Sequence, residues 1–228
     1  MKKRILAAAA AVLLALFAPA YAEEAPGAVV QSSCNIVQSD EYYLAYCYAQ
    51  VHNNSDQVIC LEDGVFQLMA GEDALVEEEV SQLWPYFIAP GGDGYLFEIV
   101  PFETMPAVTA LNYQIQFLSI DPDYAGVQLQ TNARLEMDDI TGEMSVVCEI
   151  TNTSSIDAYN PSITFGLYTE AGQMIYADGR NLSDIGIPAG GRVLVRFGVE
   201  RALVEQWRGY DALPAQAKVN AMFRSGQD

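Results

Sequence analysis

Thirty Asp and Glu stand against 11 Lys and Arg, one His and four Cys in this 228-residue chain. Carboxylates are therefore the abundant reactive groups. Glycoside hydrolysis would need two of them flanking a sugar in a cleft. Glu77, Glu78 and Glu79 are consecutive, and on a strand neighbours project to opposite faces. That pattern suits an edge strand, where charge discourages stray pairing. Trp84, Tyr86 and Phe87 follow closely and are the candidate binding residues, an aromatic platform with core packing as the competing role. His52 lacks a Gly-x-Ser-x-Gly elbow to serve and reads as a surface turn residue. Calcium would need several converging oxygens. Asp93, Asp121 and Asp123 could contribute, but no Asp-x-Asp-x-Asp-Gly loop is present. No catalytic residue, metal site or cofactor is assigned, and the expectation is a protein that is not an enzyme.

The cysteines allow disulfide chemistry in an exported chain. Cys34 and Cys47 lie equidistant from Ser39-Asp40-Glu41, so a hairpin turning there would set them opposite each other, close enough to bridge. Cys34–Cys60, or no bridge, remains an alternative. Cys148 reads as a small buried hydrophobe.

Export is expected from the start of the chain. Lys2, Lys3 and Arg4 precede an apolar run, Ile5 to Phe17, and Ala20-Tyr21-Ala22 supplies a cleavage pattern, so residues 1–22 read as a signal peptide cut after Ala22. The mature chain is expected to be secreted or on the cell-envelope exterior, with no membrane span. Three of the 11 basic residues lie in that leader, leaving eight against 30 acids, a net charge of −22. Residues 23–123 hold 17 acids and no Lys or Arg. Such a surface repels phosphate, which excludes nucleic acid as a partner.

The elements that must position these groups come in two copies. Asn53-Asn54-Ser55 recurs as Asn152-Thr153-Ser154, 99 residues later. The same offset relates Phe66-x-Leu68 to Phe165-x-Leu167, Ile88 to Ile187, and Gly91-Gly92 to Gly190-Gly191. Short alternating stretches between these landmarks read as strands, with one face of Tyr42–Val51 (Ala45, Cys47, Ala49 and Val51) turned inward. The Asn segments read as turns, since Asn tolerates left-handed backbone and bonds its own main chain. The second copy carries about seven extra residues before its last strand, where Arg201 to Trp207 has helical composition and would pack Leu203 and Trp207. The chain is thus expected to be all-β, with two tandem Ig-like antiparallel β-sandwich domains and a short helix in the second. The expected units are an acidic module over 23–120, a linker over 121–123 and a second module over 124–228.

Phe165-Gly166-Leu167-Tyr168-Thr169, framed by the Asn turn and Pro188-Ala189-Gly190-Gly191, resembles the FxLYD-type β-sandwich modules of bacterial secreted and surface proteins. The first copy carries a weaker version, Phe66-Gln67-Leu68-Met69-Ala70, and both lack the final Asp. The resemblance implies an extracellular Ig-like module and supplies no catalytic residue. The expected function is an exported, non-enzymatic binding module whose partner is an extracellular protein or a glycan. The alternative is a carbohydrate-active protein using the acids and aromatics of the first copy; protease inhibition is a third.

Overall fold

The structure, a computed structural model, describes residues 26–224 apart from 40 and 125. The signal sequence and its cleavage site lie outside the described residues. The fold is a two-domain, all-β arrangement with one α-helix among the described residues. The first domain is built from β1 (Gly27–Ser39), β2 (Tyr42–Asn53), β3 (Val58–Ala70), β4 (Asp73–Glu79), β5 (Leu83–Trp84), β6 (Asp93–Phe102) and β7 (Ala110–Ile120). It forms two antiparallel sheets, ordered β1-β2-β6-β5 and β4-β3-β7. The second contains β8 (Val127–Met137), β9 (Met144–Thr151), β10 (Ala158–Tyr159), β11 (Ser162–Tyr168), β12 (Met174–Asn181), β13 (Gly186–Ile187), β14 (Arg192–Gly198), α1 (Arg201–Gly209) and β15 (Gln216–Phe223). Here the order is β12-β11-β15-β8-β9-β14. Strand β8 bonds β15 through Val127–Leu129 and β9 through Gln130–Met137, so a single sheet curls into a half-barrel around its core.

The repeat is visible in the ladders. Val51 faces Gly94 in the first domain, and Ile150 faces Val193 in the second, both shifted by 99. Phe66 faces Tyr113, whereas Phe165 faces Val219; the extra offset is the segment that contains α1. Buried Leu203, Val204 and Trp207 lie on one side of that helix.

Asn53 and Asn152 stand at turns and bond their own main chain as expected, but their conformation and burial differ from the expectation. Neither has a left-handed backbone; each is fully buried and acts as a clasp. Asn53 Nδ2 donates to Gln57 O at 2.7 Å and Ile88 O at 2.9 Å, while its Oδ1 accepts from Ser55 N and Oγ. Asn152 repeats this set with Ile156 O, Ile187 O and Ser154. Each asparagine's backbone also bonds a Gly-Gly turn, Gly91-Gly92 or Gly190-Gly191. Gly91 and Gly190 hold φ of 68° and 73° there, a region that penalises any side chain. Each asparagine thus ties its own turn to a segment about 35 residues downstream. Burial without partners would cost each polar group about 1–3 kcal/mol, and the clasp satisfies all of them.

Strand β2 is a second departure. Ala45, Cys47, Ala49 and Val51 enter the first domain's core as expected. Tyr46, Tyr48 and Gln50 on its opposite face are also buried, because that face is covered by the second domain. A strand read as half-buried is therefore buried on both sides.

Replacing Asn152 with Ala should lower unfolding stability by about 2 kcal/mol, since two carbonyls lose their donors. Urea denaturation followed by fluorescence measures it. A loss smaller than about 0.5 kcal/mol, the range typical of surface changes, would show that the clasp is not needed.

Candidate functional site: a cleft at the domain junction

No strand ladder crosses between the domains among the described residues; side chains join them. Val37, Tyr46, Tyr48 and Tyr95 of the first domain belong to the same buried cluster as Phe165, Tyr176 and Trp207 of the second. Two glycines permit this approach. A Cβ at Gly166 would stand 2.8 Å from the Tyr95 ring, and one at Gly179 would stand 2.5 Å from the Trp84 ring, far inside van der Waals contact. The Tyr95 hydroxyl bonds the Tyr168 hydroxyl at 2.9 Å, and Tyr168 donates to Gln50 Oε1 at 3.0 Å. Because Tyr168 has one proton to give, Tyr95 is the donor to Tyr168.

Further bonds fix the register of the joint. Asn35 Nδ2 donates to Ile175 O at 2.7 Å, and Asn35 Oδ1 accepts from Trp207 Nε1 at 3.2 Å. Gln206 Nε2 donates to Ile36 O at 2.6 Å, and Gln31 Oε1 accepts from Met174 N at 2.8 Å. The helix that closes the second sandwich therefore also grips β1 of the first.

Beside this dry joint a cleft of about 990 Å³ opens, within the usual size of ligand sites. The first domain contributes Tyr86 and Phe87 to its wall. Tyr124, just after the first domain's last strand, adds a third ring, and the second domain supplies Tyr159, Phe223 and Arg224. Tyr86, Tyr124 and Tyr159 are 46%, 53% and 63% exposed. Arg224 lies over the Phe87 ring at 3.9 Å and near Tyr124 at 5.9 Å, and Phe87 and Tyr124 pack at 5.7 Å. Cation–π contact of this kind holds a guanidinium by its face. Arg224 has no ion pair among the described residues, while Arg134, Arg180, Arg192, Arg196 and Arg201 each have one.

Of the sequence-stated binding residues, Tyr86 and Phe87 line the cleft. Trp84 does not: it is 7% exposed, seated on Gly179, donating Nε1–H to Gln82 Oε1 at 3.0 Å and supporting Tyr86 from beneath at 5.1 Å. Tyr124, Tyr159 and Arg224 carried no sequence signal, because the joint brings them together from separate parts of the chain. Glu77, Glu78 and Glu79 occupy the edge strand β4 and do not line the cleft. His52 Nδ1 sits 2.8 Å from Asp93 Oδ1, on paired strands rather than in a turn. Among the described residues no group of three His, Cys, Asp or Glu is placed to hold a metal, and no helix is long and apolar enough to cross a membrane.

Cys34 and Cys47 face each other in the β1–β2 ladder, their sulfurs 3.9 Å apart and both thiols free. The contact with Cys34, followed by burial, pushes the Cys47 thiol far up. Cys60 is free and half-buried, and Cys148 is free and buried.

No family model matches the chain, and no curated protein matches it.

Burial pushes the Tyr95 phenol up to about 12, and burial likewise raises Tyr48, Tyr168 and Tyr176. A phenol whose folded pKa exceeds its unfolded value near 10 keeps its full contribution below pH 10. Between the two values the unfolded chain has lost a proton that the folded one retains, so stability falls as pH rises. The slope should be about 1.4 kcal/mol per pH unit for each such tyrosine. Unfolding free energy measured from pH 9 to 12 should bend downward above pH 10. In Tyr95→Phe the bend should be shallower; an identical bend would contradict the assignment.

Proposed function

We propose that this is an exported, non-enzymatic binding protein whose ligand enters the junction cleft. The observation that carries the reading is the cleft itself, with exposed aromatic rings contributed by both halves of the chain and held by an interface that fixes their spacing. Concave, largely aromatic walls with a few polar groups are the usual form of a ligand site. Binding is favoured over hydrolysis by the cleft's acids. Asp157 is the one carboxylate among its described lining residues, its Oδ1 occupied by Ala189 N–H at 2.9 Å, whereas sugar hydrolysis uses a pair. The leader reading of residues 1–22 and the surplus of acids support an extracellular or cell-envelope setting. The likeness of Phe165–Thr169 to FxLYD-type modules supports the same setting; Phe165, Leu167 and Tyr168 are core residues, so that motif concerns packing.

In an oxidising compartment the Cys34 and Cys47 thiols are proposed to join. Each sulfur gives up a proton and an electron, and a disulfide-bearing oxidant of that compartment is reduced to its dithiol. Cys47 is buried and strongly protonated, so attack on the oxidant would begin from the more accessible Cys34.

Two measurements test the reading. Retention of the exported protein on envelope fractions of the producing cell should be lost when Ser183, on the cleft wall, is replaced by Trp; equal retention would remove the cleft from the mechanism. Intact-mass analysis of the exported chain should show cleavage after Ala22. Alkylation of the denatured chain without reductant should label Cys60 and Cys148, while Cys34 and Cys47 react only after reduction. Labelling of all four without reductant would refute the bridge.

A further inference from the structure

We infer that the ligand of the junction cleft is a neutral saccharide; this rests on the cleft being the binding site and names its chemistry. The charges select it first. The described lining residues include one acid, Asp157, and one base, Arg224, so the cleft is electrically balanced within a chain of net charge −19. The surrounding field disfavours polyanions, and no acidic cluster in the lining invites a cation.

The wall chemistry selects it next. Tyr86, Tyr124 and Tyr159 are exposed at the cleft wall, and the negative quadrupole of an aromatic face attracts polarised C–H groups. Pyranose rings present such C–H groups on one face and hydroxyls around the rim. The polar groups beside the rings have hydrogen-bonding capacity to spare. Asn160 has a left-handed backbone with φ of 47°, and its Oδ1 is occupied by Asp184 N–H at 2.8 Å, which leaves its amide N–H pair to donate. Asp157 Oδ1 is similarly used, which leaves Oδ2 to accept. Arg224 is held by its face, so the N–H groups around its edge are available. Ser162 lines the cleft as well, but its Oγ is buried beneath the surface and does not join these groups. Separate donors and acceptors flanking stacked rings match vicinal hydroxyls, each of which both donates and accepts.

The full exported chain would be titrated calorimetrically with maltotetraose, cellotetraose, chitotetraose and mannotetraose. A galacturonate tetramer and a neutral tetrapeptide serve as comparisons. Saturable binding of at least one neutral tetrasaccharide is expected, with little dependence on added salt because no net charge is exchanged. Tyr159→Ala should weaken it about tenfold, the scale of one lost ring contact. Tyr159→Phe should retain most of it, and Tyr42→Ala, outside the cleft, should leave it unchanged. Absence of saturable binding to all four neutral sugars overturns the inference, as does binding that survives Tyr159→Ala. Preference for the uronate or the peptide, abolished by Ser183→Trp, overturns the sugar assignment alone and leaves the cleft as the site. Envelope retention indifferent to Ser183→Trp would instead remove the cleft.

Discussion

Two aromatic rings lying on two glycines set the geometry of everything else. Tyr95 rests on Gly166 and Trp84 on Gly179 at distances that exclude any Cβ. Close packing of this kind has no intermediate settings, since interiors are packed as densely as organic crystals. The domains consequently meet in one arrangement, which the Tyr95–Tyr168–Gln50 chain and the Asn35 bonds then fix in register. The short Asp121-Pro122-Asp123 connection has little to do once that joint is made.

The cleft follows from the joint. Tyr86 and Phe87 extend from the segment that carries Trp84, so the ring that seals the interface also aims its neighbours at the opening. Tyr159 and Arg224 reach the same opening from the second domain. A protein with no Lys or Arg between residues 23 and 123 thereby acquires one guanidinium beside its aromatic wall. Tyr86, Phe87 and Tyr124 lie in connections between strands, whereas Tyr159 and Phe223 lie on strands; the joint brings both sets to one opening.

Much of the fold was legible because its signals are local or periodic. The 99-residue offset anticipated the paired ladders, and the midpoint between Cys34 and Cys47 anticipated their facing positions. Helical composition in Arg201 to Trp207 anticipated α1. The joint was not legible, because a strand buried on both faces differs from a half-buried one only in which polar groups find partners. Tyr46, Tyr48 and Gln50 alternate with the core residues and could equally have faced water. A signal was present at the matching positions: Tyr48, Gln50 and Tyr95 in one copy stand where Val147, Glu149 and Leu194 stand in the other. The turns at Asn53 and Asn152 are legible, whereas their buried clasping role is not, since it depends on carbonyls 35 residues away. The aromatic run, and the alignment of Trp84 with Ser183 across the repeat, point to a surface patch, whereas Gly179 in the second domain lets the Trp84 ring bury against it.

The face that seals the first domain has a counterpart in the second that went another way. There Glu149 pairs with Arg192, Glu136 pairs with both Arg134 and Arg196, and Leu194 is 62% exposed between them. Docking a further copy against it would strip water from five ions, a cost their mutual attraction rarely recovers. The ionic lacing therefore keeps this sheet face in water, where its counterpart in the first domain is sealed.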